Sequence, residues 1–235
     1  MTMITAHSGA DGLPDNSLAY LRHAIASAAD AFEIDVRRDG GGELRLGHDA
    51  ADGALPSLEE VFALLAASPR PLRVNCDLKE PGLEEDVCAL ARAHGLAGRV
   101  ILTGSADPAL YAASPALSET AELWLNAEEA VEGLYARAAD PAFRTRAAEA
   151  LIAVCRSCGV TTVNMNYRLA AEDFTAPLEE AGLALSLWTV NGPEELRRFL
   201  ARGVRSLTTR NLAAALSAAG RQDSLPPPEE VAEGR

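Results

Sequence analysis

Four places in the first third of the chain put ionisable side chains where an apolar stretch ends or breaks. They are His7 in Ala6-His7-Ser8-Gly9, Glu33 and Asp35 in Phe32-Glu33-Ile34-Asp35-Val36, His48-Asp49, and Asp77 with Lys79 in Asn75-Cys76-Asp77-Leu78-Lys79. Residues two apart on a strand point the same way, so Glu33 and Asp35 share one face while Phe32, Ile34 and Val36 take the other. Asp77 and Lys79 repeat the spacing on the next strand and bring a third carboxylate close to the first two. Two like charges 4 Å apart cost on the order of 4 kcal/mol even at an effective dielectric of 20, and a divalent cation removes that cost. Oxygen-only ligands favour Mg²⁺ or Ca²⁺ over Zn²⁺. The same acids can instead pair with Lys79, Arg37 or Arg73 in a structural network. His7 and His48 are the candidate acid–base pair, because an imidazole with a pKa near 6.5 accepts a proton in one step and donates it in the next. His23 and His94 fall within or at the end of helical stretches and read as solvent-facing or capping residues.

These residues need a scaffold that gathers strand ends. Strand patterns at Met3–Ala6, Ala31–Val36, Leu72–Leu78, Arg99–Thr103, Glu122–Leu125, Thr161–Met165, Ala184–Val190 and Ser206–Thr208 alternate with eight helical stretches. The helices are Ser17–Ala29, one opened by Ser57 and Glu60 in capping-box spacing, Leu83–His94, Pro108–Ala113, Asp140–Ser157, Ala171–Ala181, Pro193–Ala201 and Leu212–Ala219. A short extra apolar piece, Glu43–Leu46, lies beyond a Gly-rich turn. Eight β/α units in about 215 residues predict an α/β protein, a single (β/α)₈ TIM barrel over residues 1–220, with its functional residues at the carboxyl ends of the strands. Residues 221–235, Pro-rich and charged, read as a disordered tail.

The composition closes off other classes of function. In 235 residues, 34 Asp+Glu against 21 Lys+Arg give a net charge of −13, and 48% of residues are apolar. An acidic surface without a basic cluster excludes nucleic-acid partners. No stretch has the length of a membrane span and Met1–Gly9 lacks the pattern of a signal peptide, so a cytoplasmic location is expected. Cys76, Cys88, Cys155 and Cys158 are expected to stay reduced in that setting. Cys155-Arg156-Ser157-Cys158 closes a helix and reads as buried small side chains, and Asp39-Gly40-Gly41-Gly42 reads as a turn.

Several of these segments resemble the glycerophosphodiester phosphodiesterase family, within the larger group of barrel phosphodiesterases that includes phosphatidylinositol-specific phospholipases. Met3-Ile4-Thr5-Ala6-His7-Ser8-Gly9 is similar to its opening His-Arg-Gly motif, Pro14-Asp15-Asn16-Ser17-Leu18 to its Pro-Glu-Asn-Thr-Leu segment, and Phe32–Val36 to its Glu-x-Asp-Val strand. His48-Asp49 follows Asp35 by 13 residues, as in the family, Asp77-Leu78-Lys79 stands at its Glu-x-Lys, and Leu187-Trp188-Thr189-Val190-Asn191 resembles its Trp-Thr-Val-Asn signature. The resemblance spans nearly the whole chain and implies metal-dependent hydrolysis of a small phosphodiester to glycerol 3-phosphate and an alcohol. It implies that Glu33, Asp35 and Asp77 hold Mg²⁺ or Ca²⁺, that His7 and His48 exchange acid and base roles, and that Lys79 offsets charge on the phosphate.

Trp188 reads either as a wall of the site or as a core aromatic. Ser8 stands where the family has its phosphate-gripping Arg and is the substrate-contact position of that motif. Arg168, at the end of the sixth strand, is a stand-in for the missing guanidinium. Thr208-Thr209-Arg210-Asn211 replaces the family's Thr-Asp-x-Pro, and only Asp49–Pro56 separate His48 from the next helix, where many members carry an insertion. These departures motivate two other readings, a non-catalytic phosphoester-binding barrel and a phosphodiesterase acting on lysophospholipids or cyclic phosphates. The oligomeric state is left open by the sequence.

Overall fold

The computed structural model describes residues 1–49 and 55–221. The parallel strands are β1 (Met3–Ala6), β2 (Ala31–Arg38), β4 (Arg73–Leu78), β5 (Val100–Gly104), β6 (Ala121–Leu123), β7 (Leu125–Asn126), β8 (Thr162–Asn166), β9 (Ala184–Trp188) and β10 (Ser206–Thr209). Their spatial order is β6-β5-β4-β2-β1-β10-β9-β8-β7. The two ends of this path, β6 and β7, are halves of one extended run interrupted only at Trp124, whose N–H still donates to Leu102 O at 3.0 Å. The path therefore closes into a barrel of eight strand positions, the expected TIM barrel.

The short strand β3 (Leu44–Leu46) is antiparallel to β2 and lies outside the ring. The turn that reverses the chain is held by Asp39 Oδ1, which accepts from the N–H groups of Gly41 and Glu43. So short a connection allows only antiparallel pairing. The major helices follow their capping signals. α1 (Leu18–Ala26) starts at Ser17, whose Oγ accepts from Tyr20 N, and α2 (Leu58–Ala66) starts at the Ser57/Glu60 capping box. They are followed by α3 (Glu84–Ala93), α4 (Pro108–Ala113), α5 (Pro115–Thr120), α6 (Ala127–Ala130), α7 (Pro141–Cys158), α8 (Glu172–Glu180), α9 (Pro193–Arg202) and α10 (Leu212–Ala218). The short helices α5 and α6 were not expected from sequence, because four to six residues are too few to display a helical period.

Apolar side chains fill the space between strands and helices, with Ile34, Val36, Val74, Cys76 and Leu78 buried alongside Val61, Leu65 and Val87. All four cysteines are free thiols, three of them buried. His23 departs from its solvent-facing reading: its Nε2 lies 2.9 Å from Asp11 Oδ2 with the side chain largely covered. His94 packs edge-on against Phe62. Arg221, the first residue of the expected tail, reaches Asp30, Ala28 O and Thr2 O with its guanidinium. The remainder of the expected tail, 222–235, lies outside the described residues. Among the described residues no helix is long and apolar enough to cross a membrane.

The interior near the amino ends of the strands is ionic. Arg73 and Arg205 both pair with Glu122, and both guanidinium groups lie over the Trp124 ring, at 5.9 and 5.5 Å from its centroid. Removing the shared carboxylate leaves two partly buried cations facing each other. Glu122→Ala is expected to lower stability to urea by about 1–3 kcal/mol. Glu179→Ala, which breaks the exposed pair with Arg202, is expected to cost under about 1 kcal/mol. Equal costs would show that the ring's base does not depend on this triad.

Candidate active site

A cavity of about 420 Å³ opens at the carboxyl ends of the strands, within the size range of small-molecule sites. His7, Glu33, Asp35, His48, Asp77, Lys79 and Trp188 all line it. Register explains the meeting of the acids. Asp35 pairs with Asp77 and Glu33 with Asn75 across β2 and β4, so alternation aims all of them into the barrel. One oxygen from each of Glu33, Asp35 and Asp77 lies within 4.8 Å of the other two.

Each acid has its own restraint. Glu33 Oε2 accepts from Ser8 N at 2.8 Å, and Asp35 is held twice by Asn16, which donates Nδ2–H to Asp35 Oδ2 and accepts from Asp35 N. Lys79 Nζ lies 2.8 Å from Asp35 Oδ1 and also pairs with Asp77. Gly104 lies against Asp77. A Cβ there would fall 2.3 Å from Asp77 Oδ1 and 2.2 Å from Leu78 O, and its φ of +70° is one that glycine adopts without strain. Tyr20, fully buried, donates from its hydroxyl towards Ala6 O and Glu33 O and so joins the ends of β1 and β2.

The charge balance is unequal. Burial, then Asp35 and Asp77, push the Glu33 carboxyl well above its usual range, and burial raises Asp77 against the opposing pull of Lys79. Burial disfavours the Lys79 ammonium, but Asp77 and Asp35 outweigh it and hold the charge on. One ammonium thus does not neutralise three acids. The donor set, all carboxylate oxygen, fits a hard divalent cation. The structural-network alternative accounts for Lys79 alone, since Arg37 pairs with Glu80 and Arg73 with Glu122.

His7 Nδ1 lies 2.9 Å from Ser8 O and 3.6 Å from Glu33 Oε2. A carbonyl only accepts, so in the neutral ring Nδ1 carries the hydrogen and Nε2 the free lone pair. Burial, with the Arg210 charge, lowers the His7 pKa and keeps the ring neutral near pH 7. His48 is largely exposed at the mouth, its Nδ1 2.7 Å from Asp49 Oδ1. Residues 50–54 of the short connection that follows lie outside the described residues. Trp188 is half-buried and meets Tyr135 edge-on at 6.3 Å, so it belongs to the wall of the cavity.

Two expected contacts are corrected. Ser8 is fully buried in the turn after β1 and does not line the cavity; its Oγ accepts from Asn16 N at 2.9 Å. Arg168 is exposed and away from the lining, carried outward by a 3₁₀ turn in which its N–H donates to Asn166 Oδ1. The arginine that does line the cavity is Arg210, at the end of β10. It and Asn16 were missed as site residues. Both lay in quoted segments, but nothing in one sequence shows which loop side chain turns inward.

The crowded carboxylates make a pH prediction for protein kept in EDTA. A carboxyl whose folded pKa is raised keeps a proton that the unfolded chain loses above 4.5, so folded-state stability from this group falls as pH rises towards the raised value. Glu33→Gln retains an acceptor for Ser8 N–H and has no charge to develop. Its Tm is expected to rise relative to the native protein as pH increases from 4.5, and saturating Mg²⁺ or Ca²⁺ is expected to reverse the order. A difference that stays flat with pH overturns the crowding account.

No family model matches the chain, and no curated protein does so either. Solved structures do. A glycerophosphodiester phosphodiesterase from Agrobacterium tumefaciens is 16% identical with a TM-score of 0.66, covering 93% of this chain and 100% of its own. One from Parabacteroides distasonis is 17% identical with a TM-score of 0.68, covering 93% and 97%. An Oleispira antarctica phosphodiesterase, solved with the product sn-glycerol-3-phosphate, is 17% identical with a TM-score of 0.69, covering 94% and 97%. The chain has the fold of these phosphodiesterases along nearly its entire described length.

Proposed function

We propose that the protein is a metal-dependent phosphodiester hydrolase that cleaves glycerophosphodiesters to glycerol 3-phosphate and an alcohol. The observation that carries this reading is the meeting of Glu33, Asp35 and Asp77 beside His7 and His48 in one cavity. The fold shared with phosphodiesterases, one of them solved with sn-glycerol-3-phosphate, supports it.

Glu33, Asp35 and Asp77 hold Mg²⁺ or Ca²⁺, and when bound the ion supplies Lewis-acid polarisation of a phosphoryl oxygen and offsets the negative wall that repels an anionic diester. His7 Nε2 takes the proton of the nucleophile, either a water, which gives glycerol 3-phosphate directly, or the neighbouring glycerol hydroxyl, which gives a cyclic phosphate that water opens in a second step with the acid and base roles exchanged. His48, whose Nδ1 lies 2.7 Å from Asp49 Oδ1, gives a proton to the departing alkoxide. Lys79 keeps Asp35 and Asp77 oriented and places positive charge near the phosphoryl group as charge builds there. Trp188 supplies an apolar face for the alcohol.

The test is turnover of glycerophosphocholine and glycerophosphoethanolamine with Mg²⁺ or Ca²⁺, with lysophospholipids and cyclic phosphates as the comparison panel. Activity is expected to vanish in EDTA, and His7→Ala and Asp35→Asn are each expected to lower kcat at least about a hundredfold. Turnover of the panel alone selects the other substrate classes. Tight glycerol 3-phosphate binding without hydrolysis of any diester selects the non-catalytic barrel.

A further inference from the structure

We propose that Arg210, presented by Asp15, is the residue that grips the phosphoryl group in this cavity. The inference rests on the reading of the cavity as a phosphoester site. Among the described residues lining the cavity, the permanently charged cations are Lys79 and Arg210. Lys79 is already committed, because its ammonium sits between Asp35 and Asp77. Its ammonium is shared between two carboxylates, so it adds positive charge near the anion while its hydrogen bonds go to Asp35 and Asp77.

Arg210 is held differently. Its Nη1 and Nη2 donate to Asp15 Oδ1 and Oδ2 at 2.7 and 2.9 Å, a bidentate pair between residues 195 positions apart. That pair uses two of the five guanidinium N–H donors and leaves three in a fixed plane. The backbone is clamped too. Arg210 N donates to Asn191 Oδ1 at 2.9 Å, and Arg210 O accepts from Asp11 N at 2.8 Å. His7 belongs to the same corner, its N–H donating to Thr209 O at 2.8 Å.

Room for the pair comes from Gly9. A Cβ at that position would fall 1.9 Å from Asp15 Oδ1 and 3.0 Å from Arg210 Nη1. The bare backbone after Ser8 thus admits a guanidinium delivered from the last strand of the ring. A side chain whose position is fixed before the ligand arrives loses little freedom on binding, and charge-assisted bonds to phosphate are among the stronger polar contacts.

The test measures binding of sn-glycerol 3-phosphate and of inorganic phosphate to the full chain in saturating Mg²⁺, together with KM and kcat for glycerophosphodiesters. Arg210→Ala is expected to weaken both ligands about tenfold to a hundredfold and to raise KM, with the Mg²⁺-induced rise in Tm unchanged. Arg210→Lys is expected to recover part of the loss. Asp15→Asn is expected to cost less than Arg210→Ala and to add nothing in the Arg210→Ala background, because Asp15 acts through Arg210. Variants with lowered Tm but native ligand affinity would make the pair a strap between loop and strand and overturn the proposal. Phosphate binding that depends on Arg210 without turnover of any diester would keep this proposal and remove the hydrolase reading. A native protein that binds neither ligand overturns both.

Discussion

Three carboxylates crowded within 4.8 Å, with one ammonium between them, is the constraint around which the upper half of the barrel is organised. Left alone, such a cluster spreads apart or takes up protons, since each close like-charge pair costs several kcal/mol. The surrounding groups oppose spreading. Asn16 holds Asp35 by two bonds, the Ser8 N–H holds Glu33, and Gly104 leaves no side chain to displace Asp77. None of these contacts removes the excess charge. The cluster is kept together while short of positive charge, a geometry that could hold a divalent ion.

The acids and the barrel were legible in the sequence because both follow simple periods. Glu33-x-Asp35 and Asp77-x-Lys79 announce themselves by alternation, and eight β/α repeats give the ring. Ser8 lies in the turn after β1, where alternation no longer applies. Family likeness suggested a side-chain contact there, whereas the Ser8 hydroxyl is buried against Asn16 N. Arg168 was misplaced because the end of a strand does not show where the following turn will carry its residues. Arg210 and Asp15 could not be paired from spacing, since only closure of the ring brings residues so distant in sequence together. Glu43–Leu46 was legible as a strand but lies outside the ring, because its reversing turn decides its direction.

The two ends of the barrel interior use charge in opposite ways. At the base, Glu122 lies between two arginines stacked on Trp124, so cations outnumber anions and an aromatic face absorbs the difference. At the mouth, anions outnumber cations and the difference stays open to the cavity. At the base the charges meet one another within the protein, although Arg73 Nε, Arg205 Nε and Trp124 Nε1 are buried without a partner; at the mouth the acids face open space.

The first strand sits between the second and the last of the ring, with Met3 opposite Ser206. During synthesis, one edge of Met3–Ala6 therefore emerges from the ribosome about 200 residues ahead of its partner. At about 5–20 residues per second, that edge waits on the order of ten to forty seconds with its amides unpaired. His7 N donates to Thr209 O across this last seam, so the corner of the cavity lined by His7 and Arg210 is assembled only once translation has delivered nearly all the described residues. A nascent barrel of this kind has no closed cavity, and is open to chaperones, until its seam is sealed.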